Sequence, residues 1–134
     1  MSLGVVQMRR RHLIAALPAV LAAACTTPAS APPSITVFFT EDSARLDSEA
    51  TDVVRRAAQV ARGGTGPVTV LGFAGPAGGA AYNRALSEAR AQHVADLLAQ
   101  NGVARERVRI VPRGPVPFEA VPTESRRVEI RIGS

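Results

Sequence analysis

A chain of 134 residues, 46% hydrophobic and 20% charged, is long enough for one compact domain with its own core and too short for two. All 16 basic residues are arginine, against 11 acidic ones, but Arg9, Arg10 and Arg11 crowd the N-terminus and the remainder carries only +2; with four Phe, one Tyr and no Trp, this excludes a nucleic-acid footprint. A lone cysteine, Cys25, and two histidines exclude an internal disulfide and a structural zinc site, and nothing in the chain calls for a cofactor.

Residues 1–25 read as a targeting segment. A basic stretch, Arg9 to His12, precedes twelve mostly apolar residues, Leu13 to Ala24, too few to span a bilayer, which needs roughly 20. Cys25 follows Ala22-Ala23-Ala24 and resembles the end of a bacterial lipobox, in which the cysteine is acylated and anchors the mature chain to a membrane. The larger aliphatic residue usual three positions before that cysteine stands four before it here, as Leu21, so a plain secretory signal and an uncleaved anchor are alternatives. Translation starting at Met8 would give a compact signal. Residues 26–33, rich in Pro, Ser, Thr and Ala, read as an extended tether of roughly 25 Å.

The globular pattern, 34–134, begins with the β-branched and aromatic run Ile35 to Phe39, a strand. Asp47 offers an N-cap, Ala50, Val53, Val54, Ala57 and Ala61 follow at helical spacing, and Gly63-Gly64 ends that helix. Val68 to Leu71 is a second strand and Gly72 to Gly79 a glycine-rich loop. A second helix runs from Ala80 to Gln100 with Leu86, Val94, Leu97 and Leu98 as its apolar stripe and Asn101-Gly102 as its stop. Arg107 to Val111 alternates like a strand, Pro112 to Pro122 reads as a loop, and Arg126 to Ile132 alternates again. The order β-α-β-α-β-β predicts an α+β domain with two helices packed on one face of a mixed sheet.

Several residues together resemble a known family. Phe39, Ser43-Ala44 and Leu46, then Tyr82-Asn83, Leu86-Ser87 and Arg90-Ala91 with Val94, and finally Arg126-Arg127-Val128, are similar to the OmpA-like C-terminal domain, the peptidoglycan-binding module of outer-membrane protein A and of peptidoglycan-associated lipoprotein. The resemblance spans about residues 35–132 and implies non-covalent binding of the diaminopimelate in the peptidoglycan stem peptide. That residue ends in a zwitterion, which suits an arginine fork for its carboxylate and an aspartate for its ammonium. By this likeness Arg90 is the basic anchor, Asn83 a ligand-holding amide and Arg126 an arginine facing the same site. The acidic half departs from the pattern. Gly72-Phe73-Ala74-Gly75 replaces the family's Gly-His-Thr-Asp, so Ala74 and Gly75 lack the hydroxyl and carboxylate, and Thr40 replaces an aspartate after the first strand. Asp42 is retained, and Glu41 or Asp42 could supply the negative charge from the other side.

Plainer roles compete with each of these. Arg90 could tie helix to sheet through backbone carbonyls, Asn83 could hydrogen-bond at the helix start, and Arg126 could pair with Glu124 or Glu129. Arg127 reads as solvated and His93 as a surface or packing residue. The glycines of the 72–79 loop lack the Lys-Ser/Thr of a phosphate cradle, and Ser87 lacks a histidine and acid in motif spacing, so no enzyme is expected. The leading expectation is a lipid-anchored outer-membrane protein whose periplasmic domain binds peptidoglycan weakly. Its rival is an envelope adaptor that kept the fold, lost the wall ligand and docks another protein. Geometry separates them: a carboxylate close to Arg90 across an open cleft favours binding, and a cleft filled by Phe73 opposes it.

Overall fold

The computed structural model describes residues 33–116 and 122–134. Cys25, the expected targeting segment, the expected tether up to Pro32 and residues 117–121 of the proline-rich stretch lie outside the described residues. Four strands form one sheet: β1 (Ser34–Phe38), β2 (Val68–Ala74), β3 (Val108–Pro115) and β4 (Arg127–Ile132). Their order is β1-β4-β2-β3, with β4 antiparallel to both its neighbours and β2 parallel to β3. Helices α1 (Ser48–Arg62) and α2 (Ala80–Gln100) cover one face, as the β-α-β-α-β-β pattern predicts.

Alternation assigns the two faces of the sheet. Val37 lies opposite Val128, Ile35 opposite Ile130, and Ile130 opposite Val70, so the apolar members of three strands meet under the helices. Asp47 caps α1 by accepting a hydrogen bond from the Ala50 N–H at 2.8 Å, and the helix presses Ala50, Val54, Ala57, Ala58 and Ala61 into the core. These small side chains bring the helix close to the sheet. At the end of α2, Gly102 adopts φ 91°, the left-handed stop expected of Asn101-Gly102.

The core stripe of α2 differs from the expected one. Leu86 and Leu97 are only half-buried, whereas the fully inward positions include Asn83, Ser87 and Arg90. Polar side chains occupy core positions because each has a fixed partner, so hydrophobic spacing misplaces the stripe by part of a turn. Ser87 donates to the Arg84 carbonyl at 2.7 Å and accepts from the Gly114 N–H at 3.1 Å. The close approach of α2 to the sheet is set at Gly72, where a Cβ would lie 2.0 Å from the Ser87 carbonyl oxygen.

Strands β2 and β3 are also longer than the sequence indicates. β2 continues through Phe73 to Ala74, so those residues leave the glycine-rich loop, and β3 continues through Pro112, Gly114 and Pro115. The parallel ladder survives these breakers through a register shift at Gly72/Phe73 and a positive φ of 72° at Gly114. Prolines are tolerated because β3 is an edge strand.

Candidate functional site

The C-terminal end of β2, the start of α2, the turn after β1 and the turn before β4 meet around Arg90. Its side chain is completely buried, and three of its nitrogens donate to backbone carbonyls: Nε to Ser43 at 2.8 Å, Nη1 to Phe73 at 3.1 Å and Nη2 to Thr40 at 3.1 Å. Its guanidinium also lies 5.3 Å from the centre of the Phe39 ring. Arg90 therefore ties α2 to both β2 and the β1–α1 turn. Burial, the largest influence, lowers its pKa from the ordinary value; Arg126 acts in the same direction, while Asp42 and Tyr82 oppose it. A guanidinium starts so far above neutrality that it stays charged.

Two of the carbonyls that hold Arg90, those of Thr40 and Ser43, belong to a turn that also presents acids. Asp42 sits at φ 48°, a left-handed conformation that aspartate tolerates better than most residues. Glu41 and Asp42 line the same cleft as Asn83, Arg90 and Arg126, with Gly75, Ala77, Leu86 and Ser125 completing its wall. Two acidic and two arginine residues thus line one cleft, and Asp42 and Arg126 both act electrostatically on Arg90. The cleft is small, about 40 Å³, room for only a few water molecules.

Asn83 is buried, and its Nδ2 donates to the Ala77 carbonyl at 2.7 Å, pinning the loop that leads into α2. Arg126 stands immediately before β4. Its Nε lies 3.4 Å from the Phe39 carbonyl and its Nη2 donates to the Thr123 hydroxyl at 3.2 Å. Among the described residues, the ion pairs of Glu129 go to Arg127 and Arg131 instead, so the expected alternative pairing of Arg126 with Glu129 is not formed. Glu124 offers its carbonyl to Arg127 at 2.6 Å.

The substituted positions have clear surroundings. Thr40 contributes its carbonyl to Arg90, Ala74 is buried and accepts from the Val116 N–H at 3.0 Å, and Gly75 faces the cleft. Phe73 does not fill the cleft. Its ring lies on the opposite face of the sheet, 4.1 Å from the Arg127 guanidinium. Arg127, expected to be solvated, is thus a half-buried residue held by that ring, by Glu129 at 2.9 Å and by Glu124. His93 is exposed, with Nδ1 2.7 Å from the Ala44 carbonyl. Sequence reasoning missed Ser125, buried in the cleft wall with a partner of its own; a serine in a Thr-Glu-Ser-Arg run carries no periodic or motif signal.

Known proteins share this fold. Residues 38–129 match the OmpA family. The chain is 38% identical over 79 residues to outer membrane protein 40 of Porphyromonas gingivalis, a stretch covering 58% of this chain and 21% of that much longer protein. The cell wall anchor of the T6SS from Pseudomonas aeruginosa superposes with a TM-score of 0.60 at 32% identity, covering 74% of this chain and 79% of that one. The peptidoglycan-associated lipoprotein from Burkholderia pseudomallei has the same fold, with a TM-score of 0.66 at 23% identity over 72% of this chain and 87% of that one. The match runs from Phe38 to Glu129, through the turn with Asp42, the helix with Arg90 and the arginine before β4, and so the chain belongs to the OmpA family.

Proposed function

We propose that the chain is a lipid-anchored protein of the bacterial outer membrane whose periplasmic domain binds peptidoglycan non-covalently and weakly. The observation that carries this reading is the shared cleft, lined by Glu41 and Asp42 together with Arg90, Arg126 and Asn83. The zwitterionic end of a diaminopimelate-type stem peptide matches such a set: its carboxylate turns to the half-exposed Arg126, with the buried charge of Arg90 behind the cleft wall, and its ammonium to Asp42 or Glu41. Likeness to a cell wall anchor supports the same ligand class. The anchor rests on Cys25 and the apolar segment before it.

Weakness follows from two features. Three nitrogens of Arg90 already donate to carbonyls, which leaves fewer for a ligand. Gly75 and Ala74 provide no side-chain acceptor, and a charge-assisted hydrogen bond contributes roughly 1.5–3 kcal/mol, so its loss lowers affinity by about one to two orders of magnitude. Co-sedimentation of the chain with purified sacculi tests the proposal. Binding should fall with Arg126→Ala and with Asp42→Asn, the latter removing the charge while keeping a residue that tolerates the left-handed turn between the Thr40 and Ser43 carbonyls. No co-sedimentation, or binding indifferent to both changes, overturns it.

A second reading, an envelope adaptor that has lost the wall ligand, is favoured by the 40 Å³ size of the cleft and by Gly75 in its wall. It predicts that Gly75→Asp creates sacculus binding that the native chain lacks. Equal binding by both proteins removes its basis.

A further inference from the structure

The two edges of the sheet are protected very differently. β3 carries Arg109, Pro112, Arg113 and Pro115 along a bulged ladder, the usual defences against pairing with another strand. β1, with the sequence Ser-Ile-Thr-Val-Phe, has no charge, no proline and an unbroken register against β4. Phe39 N–H donates to the Arg126 carbonyl at 2.9 Å in that register, so Val37 and Ile35, at alternate positions, also direct their backbone groups toward β4. Ser34, Thr36 and Phe38 consequently direct theirs outward. Among the described residues no hydrogen-bond partner on another strand meets them.

Beside this edge α1 forms the wall of a groove of about 150 Å³, lined by Thr36, Phe38, Asp47, Glu49, Ala50 and Val53. Glu49, Val53, Arg56 and Val60 follow one another at helical spacing, so the stripe that borders the groove continues to an exposed arginine and to a valine that is 60% exposed. Phe38 is 48% exposed. Two of the three exposed large hydrophobic residues among the described ones thus lie along this edge, the third being Tyr82 on α2.

We infer that β1 is the docking edge for a second copy of this chain, related by a two-fold axis at Thr36. Antiparallel pairing about that axis sets Thr36 opposite its own equivalent and Ser34 opposite the second copy's Phe38, and no like charges meet in the strand layer. The helix layer is complementary in the same register. Thr36 is about 7 Å from either end of β1, a distance that α1 covers in four to five residues. With Val53 over the axis, Glu49 of each copy therefore faces Arg56 of the other. An eight-stranded sheet with two α1 helices packed antiparallel above the seam results, and the charge pairing on α1 selects this partner over an arbitrary extended peptide.

Sedimentation equilibrium of the whole chain in non-ionic detergent under reducing conditions tests the inference. A monomer–dimer equilibrium is expected. Thr36→Pro removes an outward N–H without touching the β4 ladder, and should yield monomer with an unchanged circular dichroism spectrum. Glu49→Arg should weaken association roughly tenfold, and adding Arg56→Glu should restore it. If Thr36→Pro does not fold, the charge exchange alone decides. A chain that stays monomeric up to about 1 mM, or a dimer that responds to none of these substitutions, overturns the inference.

Discussion

The Phe73 carbonyl accepts a hydrogen bond from Arg90 Nη1 at 3.1 Å on the helix side of the sheet, while the Phe73 ring stacks against Arg127 on the other side. One residue at the end of β2 is thereby held from both faces by arginines. Arg90→Met fills similar space but abandons three carbonyls, of Ser43, Thr40 and Phe73, in or near the core. With charge-assisted bonds at roughly 1.5–3 kcal/mol each, and partial relaxation of the turn, the loss should be about 3 kcal/mol or more. Urea unfolding of Arg90→Met beside Arg126→Met reads it. The second variant, at a half-exposed site, should lose less than about 1 kcal/mol. Equal losses would mean that Arg90 does not tie α2 to the sheet and the β1–α1 turn.

The seat of α2 on the sheet gives a second prediction. Gly72→Ala places a Cβ against the Ser87 carbonyl and 3.0 Å from the Ala91 side chain, and backbone cannot move aside as a flexible side chain would. The cost should be about 1–3 kcal/mol, as for other overpacked cores. Gly64→Ala is the control. Nothing lies within 4 Å of its added Cβ, and its backbone angle is not left-handed, so it should be neutral or stabilise by about 0.4–1 kcal/mol. Thermal unfolding of both variants compares them directly.

Much of this architecture is legible in the residues themselves. Asp47, Gly63-Gly64 and Asn101-Gly102 mark helix ends because capping, the poor helix propensity of glycine and, at Gly102, a left-handed stop are local chemistry, independent of the rest of the chain. The alternation of Val128, Ile130 and Ile132 exposes β4 for the same reason. What local chemistry cannot reveal is satisfaction at a distance. Arg90 is a core residue only because Ser43 and Thr40, more than forty positions earlier, turn their carbonyls toward it. Pro112 and Gly114 continue a strand only because Ser87 supplies an acceptor for the bulge. Arg127 leaves solvent only because Phe73 lies under it. At the site, the family likeness gathers Asn83, Arg90 and Arg126, and the structure brings Glu41 and Asp42 to the same cleft; the pinning role of the Asn83 amide and the presence of Ser125 needed the fold.

That amide carries a third prediction. Asn83 Nδ2 holds the Ala77 carbonyl at 2.7 Å, and α2 has no side-chain cap at Gly79, so this bond is the principal restraint on the loop entering the helix. Asn83→Ala should leave global stability lowered by only about 1–2 kcal/mol. Hydrogen exchange should rise locally, in the first turn of α2 and in residues 75–79, with the core strands protected as before. Uniform acceleration across all strands would instead indicate that Asn83 supports the whole fold.

Glu129 sets the acid limit of the sheet face opposite the helices. Burial, the largest single influence, would raise its pKa, but hydrogen bonds and charge from Arg127 and Arg131, both at 2.9 Å, outweigh burial together and leave it lowered. A carboxyl whose folded pKa lies below its unfolded value contributes stability that is fully present above the unfolded pKa, near 4.3, and is lost as pH falls through the folded one. Urea unfolding at a series of pH values should therefore show native stability declining below about pH 5. Glu129→Gln should start lower at neutral pH, because Arg127 and Arg131 lose their shared partner, and should decline less steeply on acidification. The two curves should approach each other at the acid end, where Glu129 is protonated and resembles the amide. Parallel curves across the whole range would show that the arginines do not hold Glu129 in its charged form.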